Sequence, residues 1–280
     1  MKFGIFGINF GPCADPEGAV RVAQLAEQAG FESLWTGEHV VLPDPQEPPS
    51  PAAPETKMLD PAVALAFVAA HTNSIRLGTG IVILPQRNPL VLAKEMASVD
   101  VLSGGRLLLG VAAGYLHQEF SALGAPFSDR GARTDEAIDV IRTLWTQEKP
   151  AFEGQFWSFS GIDARPRPTQ TPSPPIVIGG HSAAAHRRAV RRGDGWYGFA
   201  LDVDATRDAL EGLDHVLRET DRPDQLGELE VSITPPSTVT VDDVRRYEAL
   251  GVDRLILLVS GRTVDDTCDR VAQAAESLIT

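Results

Sequence analysis

Residues Ile75–Tyr115 read IRLGTGIVILPQRNPLVLAKEMASVDVLSGGRLLLGVAAGY. Ile75–Leu84 is apolar and β-branched, broken only by small residues, which predicts a strand buried on both faces. Asn88-Pro89 then opens a helix: Asn88 can cap it, and Pro89 suits a first turn whose N–H has no partner anyway. Leu90, Leu92, Ala93, Met96, Ala97 and Val101 give that helix an apolar face, and Gly104-Gly105 ends it. Leu107–Ala112 is a second buried strand, closed by Gly114. Strand, helix and strand together form a βαβ unit, which predicts a parallel sheet with a right-handed crossover. Thr79-Gly80 lies inside the first strand, where glycine weakens pairing; a bulge or close approach of a ligand to the backbone is one reading, tight strand packing the other.

Outward from this unit, strand and helix signals alternate almost throughout. Lys2–Asn9 reads as a strand, and Glu17–Ala29 as an amphipathic helix with Val20, Ala23, Leu25 and Ala26 inward. Ser33–Thr36 is a short strand, proline-rich Pro43–Glu55 a loop, and Asp60-Pro61 the start of a helix capped by Asp60. Beyond Tyr115 come helices over His117–Leu123 and Arg133–Gln147, a hairpin over Phe152–Phe159, and a strand at Ile176–Ile178. Helix Ser182–Arg192, strand Gly195–Phe199 and helix Val203–Glu219 follow. Leu229–Ile233, Val241–Leu250, Arg254–Val259 and Val264–Leu278 complete the alternation. Eight strand–helix pairs predict one α/β domain over residues 1–280, a (β/α)₈ barrel with short insertions, with an open doubly wound sheet as the alternative. The length of 280 residues suits such a barrel, which typically has about 250.

Composition excludes several classes of function. A net charge of −13 argues against nucleic acid and anionic membranes as partners. No apolar run reaches the roughly 18 residues of a membrane span, and MKFGIFGINFG is too short and glycine-rich for a signal peptide. Cys13 and Cys268 have no metal spacing and point to a reducing, cytoplasmic setting. No HExxH, paired CxxC, GxSxG, GxxxxGK[ST] or GxGxxG pattern occurs, so neither a metal site nor Rossmann-type cofactor binding is expected.

A barrel carries its chemistry at the C-terminal ends of its strands. Those ends are Asn9-Phe10, Glu38-His39, Gly80–Arg87, Gly114-Tyr115, Gly179-Gly180-His181-Ser182, Phe199, Thr234 and Ser260-Gly261. The Gly-Gly-His-Ser segment leads from a strand into a helix N-terminus, which suits a phosphate, although glycine is also routine in such turns. His186, Arg187, Arg188, Arg191 and Arg192 form the densest basic cluster, read as a solvated helix face or as counter-charge for a polyanionic tail. His39 can exchange a proton near neutral pH, or serve structure alone.

Four segments carry a resemblance: GFESLWTGEHV, the Arg76–Tyr115 stretch, EFSALGAPFSDRGARTDEAIDVIRTLW and PPIVIGGHSAAAHRRAVRRGDGWYG. The chain resembles the luciferase-like flavin and deazaflavin oxidoreductases, most of all the coenzyme F420-dependent branch. The resemblance implies a cofactor ring over the strand ends, backed by a non-prolyl cis peptide that falls here at Gly80–Ile81. It places the ring against His39, Thr79, Gly80, Ile81, Gly114 and Tyr115, and the phosphate at Gly179, Gly180, His181 and Ser182. It assigns proton transfer or substrate contact to His39 beside Glu38. Where some F420 dehydrogenases have a glutamate acid, this chain has Tyr115, which can stack on the ring or hydrogen-bond to substrate but is a poor acid. The expected activity is F420-dependent hydride transfer to or from a small organic substrate, in a homodimer. The alternatives are an FMN- and dioxygen-dependent monooxygenase with a separate reductase, and a protein that only stores or senses the cofactor.

Overall fold

The computed structural model describes residues 1–279. Its main sheet is parallel and closed. The barrel strands are β1 (Lys2–Phe6), β2 (Ser33–Thr36), β3 (Arg76–Thr79), β4 (Leu107–Ala112), β5 (Ile176–Gly179), β6 (Gly195–Phe199), β7 (Glu230–Thr234) and β8 (Arg254–Leu258). β1 lies between β2 and β8, so that Phe6 sits opposite both Trp35 and Leu258. Closure comes where β3 meets β4, with Leu77 opposite Leu107 and Gly78 opposite Leu108. The (β/α)₈ barrel expected from the alternation is therefore the observed architecture, and the open sheet is not.

The helices follow their capping chemistry. α1 (Pro16–Gln28) and α2 (Pro61–Ala69) start at Asp15 and Asp60, whose carboxylates accept N–H bonds of the first turn. α3 (Pro89–Ser103) starts at Asn88, which accepts from Leu90 and Val91, and stops at Gly104 with φ +70°. α4 (His117–Ala122) and α5 (Arg130–Thr146) follow β4, and the expected hairpin pairs Phe152–Glu153 with Ser158–Phe159 outside the barrel. α6 (Ala183–Arg192), α7 (Val203–Glu219), α8 (Val241–Ala249) and α9 (Val264–Leu278) complete the ring. Two inward faces differ from expectation. α1 buries Ala19, Val22, Ala23 and Ala26, leaving Val20 and Leu25 half-buried. On α3, Val101 turns outward beside Leu102.

The expected strand over Ile75–Leu84 is interrupted. β3 ends at Thr79, the Gly80–Ile81 peptide is cis, and Val82–Ile83 resumes pairing with Val111 and Ala112 of β4. Its neighbours are shaped to admit this irregularity. The Thr79 hydroxyl donates to the Gly110 carbonyl at 2.7 Å, and the Gly80 N–H donates to the Thr36 carbonyl at 2.8 Å. A Cβ at Gly110 would overlap the Thr79 carbonyl, and one at Gly179 would lie 3.0 Å from the Ile81 side chain.

Inside the barrel, Trp35, Leu108, Val177, Tyr197 and Ile256 form one buried layer, with Phe6 and Ile81 packed above it. Gly78 leaves the room Trp35 occupies: a Cβ there would come within 2.5 Å of the indole. Below that layer the fully buried Arg254 donates to Glu32 at 2.9 Å, to Ser232 at 3.0 Å and to Glu230. Its guanidinium lies 5.6 Å from the Trp35 ring centre.

Glu27, in the last turn of α1, fastens the approach to β3. One of its oxygens accepts from the N–H groups of Asn73 (2.9 Å), Ser74 (2.6 Å) and Ile75 (2.9 Å) and from the Ser74 hydroxyl (3.1 Å). Partial burial works the other way, but these donors hold the carboxyl down from 4.5 to about 2. A carboxyl depressed on folding stabilises the native state above its unfolded pKa and loses that effect as pH falls through the folded value. The stability advantage of wild type over Glu27→Gln is therefore expected to be full above about pH 4.5 and to vanish near pH 2, measured by urea unfolding across that range.

Candidate active site

The strand ends open onto a mouth floored by Phe6 and Ile81, with Phe199 5.1 Å from Phe6 between ring centres. Asn9 braces one side: its amide donates to Gly37 (2.8 Å) and Leu59 (2.6 Å) and its carbonyl accepts from the Gly37 N–H (2.9 Å). This side-chain bridge joins the ends of β1 and β2 to the loop before α2.

His39 follows directly, and of the other predicted site residues Tyr115 reaches it. Its Nδ1 lies 3.2 Å from a Glu119 oxygen, and its Nε2 lies 3.4 Å from the Tyr115 hydroxyl. Glu119, in α4, is fully buried, and its other oxygen accepts from Val40 N–H at 2.6 Å and Val41 N–H at 3.4 Å. Burial favours a neutral carboxyl, but the His39 ring and these N–H groups outweigh it and hold Glu119 below its ordinary value. Glu119 is then an ionised acceptor, so the Nδ1 of His39 turns a proton toward it and Nε2 faces the Tyr115 hydroxyl. Burial, and then the Glu119 charge, push the Tyr115 phenol up, so it stays protonated and donates. The arrangement can pass a proton at His39 Nε2 while Nδ1 remains anchored.

Glu119 is the residue sequence reasoning missed. Its signal was faint: a carboxylate beside Phe120 in the first turn of a short helix, with nothing local to show that the loop after β2 covers it. Glu38, expected to work with His39, points elsewhere. It accepts from Ile83 N–H at 2.6 Å and Arg87 Nε at 3.0 Å, while Arg87 also reaches Asp60 at 2.7 Å. Burial works against the Arg87 charge, yet Glu38 and Asp60 together hold the guanidinium firmly protonated. Glu38 is thus a brace between β2 and the segment after the cis peptide, because a buried carboxylate is satisfied first by the nearest cation.

The remaining predicted residues divide similarly. Thr79 is buried with its hydroxyl committed to Gly110, so it shapes the floor and offers no donor to the mouth. Gly80 and Ile81 lie at the floor itself. Gly114, at φ +76°, fits where a Cβ would strike Ile83 and Phe120, and sets Tyr115 at the rim. Gly179 accommodates Ile81, and Gly180, at φ +121°, gives its N–H to the Tyr197 carbonyl. His181 accepts the Phe199 N–H at Nε2 (3.1 Å), and Ser182 caps α6 through the Ala185 N–H (3.2 Å). The anion-binding capacity of this loop therefore rests on the free N–H groups of the first turn of α6, not on Gly180. Two members of the basic cluster are spent: Arg188 pairs with Asp135 at 2.6 Å and Arg192 with Asp139 at 2.9 Å, both on α5.

Removing the Glu119 carboxylate takes the acceptor from the partly buried N–H groups of Val40 and Val41. Glu119→Ala is expected to lower the unfolding free energy by about 2 kcal/mol and to speed amide exchange at Val40 and Val41, with exchange in β6 unchanged; hydrogen–deuterium exchange with denaturant titration checks it.

An uncharacterized protein of Mycobacterium tuberculosis is 30% identical over 267 residues, spanning 91% of this chain and 92% of that one. The monooxygenase RslO1 from Streptomyces bottropensis superposes with a TM-score of 0.81 at 25% identity, covering 100% of this chain and 99% of its own. An F420-dependent secondary alcohol dehydrogenase shares the fold, with a TM-score of 0.79 at 16% identity over 98% of this chain and 97% of that one. The luciferase-like monooxygenase family model matches residues 1–258, and the chain belongs to that family.

Proposed function

We propose that the protein is an F420-dependent oxidoreductase that moves a hydride between the deazaflavin and a small organic substrate. The observation that carries this reading is the His39–Glu119 pair at the end of β2, with Tyr115 donating toward His39 Nε2. Interconverting a carbonyl and an alcohol, or reducing an activated double bond, moves a proton as well as a hydride, and this pair is built to move one. The residues present fit the cofactor: Phe6, Ile81 and the Gly80 backbone offer a flat apolar floor, and the first turn of α6 offers N–H groups for a phosphate. When bound, the deazaflavin supplies the hydride chemistry. His39 exchanges the substrate proton at Nε2, Glu119 holds the ring in the required tautomer, and Tyr115 orients the substrate oxygen.

The second reading, an FMN-dependent monooxygenase served by a reductase, draws support from the likeness to the monooxygenase RslO1. A homodimer is part of the proposal. Val63 and Phe67 on α2, and Val91 and Leu102 on α3, point outward from neighbouring helices, with Val63 and Leu102 67% and 68% exposed. Outward apolar side chains on adjacent helices suit a second copy of the chain.

Titration of the apo-protein with F420 and with FMN, followed by cofactor fluorescence, is expected to show tighter F420 binding; preference for FMN overturns the assignment. His39→Gln is expected to slow F420-linked turnover at saturating cofactor, in a panel of alcohols, ketones and enones, about 100-fold. Light scattering is expected to give twice the 30.1 kDa chain mass for wild type and a single chain mass for Val63→Glu/Leu102→Glu.

A further inference from the structure

A cleft of about 550 Å³ runs between α6 and α7, starting at His181 beside the glycine loop and continuing outside the barrel. Small residues make it: Ala205, Ala209 and Gly212 line the α7 side. The His186 ring packs beneath Gly212, where a Cβ would come within 3.2 Å of it, and stands edge-on to Trp196 at 5.4 Å.

Two side chains in the cleft wait for a partner. His186 is 4% exposed, yet its Nε2 has no hydrogen bond, a costly state for a buried polar nitrogen. Arg187, unlike Arg188 and Arg192, has no carboxylate within 4.0 Å among the described residues. On the opposite wall, Glu219 pairs with His215 at 3.4 Å at the far end of α7, and Asp208 is the other carboxylate. The cationic part of the cleft therefore adjoins the first turn of α6, whose free N–H groups also favour an anion.

We propose that this cleft receives a carboxylated chain extending from the phosphate end of the cofactor, with Arg187 as its counter-charge and His186 as hydrogen-bond partner to a carboxylate or amide. The glutamyl tail of F420 is such a chain, and FMN, which ends at its phosphate, has none. The inference rests on the deazaflavin reading and goes beyond it: it assigns tail recognition to Arg187 and withdraws it from Arg188 and Arg192, which α5 already neutralises.

The test compares dissociation constants, by fluorescence titration, for F420 carrying several glutamates, its glutamate-free form, and FMN. Wild type is expected to bind the tailed form about tenfold more tightly than the glutamate-free form, and Arg187→Glu to erase that preference while leaving glutamate-free binding unchanged. Ala209→Leu, which fills the cleft, is expected to erase it too, whereas Arg191→Glu, an equal charge change outside the cleft, keeps it. Equal affinity of wild type for the two deazaflavin forms, or a preference that survives Arg187→Glu, overturns this inference alone. Binding of FMN with neither deazaflavin form overturns the proposed function along with it.

Discussion

A carboxylate removed from water inside an already acidic protein must be answered by donors, and Glu119 is answered by the loop it faces. Its two oxygens collect the N–H groups of Val40 and Val41 and the Nδ1 of His39, so one buried charge fixes the backbone after β2 and the ring at the mouth together. Glu38, one residue before His39, meets the same demand with Arg87 and the Ile83 amide. Two carboxylates with different partners thus hold the end of β2 from opposite sides, toward α4 and toward β3. His39 is left between them with one nitrogen, Nε2, turned to the Tyr115 hydroxyl at the mouth.

The floor of the site depends on what is missing from its neighbours. β3 can turn at Gly80–Ile81 because Gly110 and Gly179, on the two following strands, leave space that side chains would occupy. Trp35 fills the interior opposite Gly78 by the same complementarity. A well-packed interior tolerates such exchanges of volume only in register. Substituting any of these glycines would therefore disturb the site through the floor, without touching a group that does chemistry.

Much of this was legible in the sequence, where the cause was local. Asn88, Asp60 and Ser182 cap the helices they precede, and Gly104 ends α3. Thr79-Gly80 marked the interruption of β3, although the apolar run around it suggested a continuous strand, since burial on both faces hides a turn within it. The alternation of eight strand–helix pairs decided the barrel. What escaped depended on distant partners. Arg188 finds Asp135 53 residues away, and Glu119 finds Val40 79 residues away, so neither spacing nor composition separated a committed charge from a free one. Glu38 was next to His39 in sequence, but consecutive residues at a strand end point to opposite sides.

Arg254, fully buried beneath Trp35 and gripped by Glu32 and Glu230, stoppers the barrel at the end opposite the mouth. The Trp35 layer packs the interior above it, so the barrel offers no passage along its axis, and whatever rests on the floor of Phe6 and Ile81 comes and goes by the mouth.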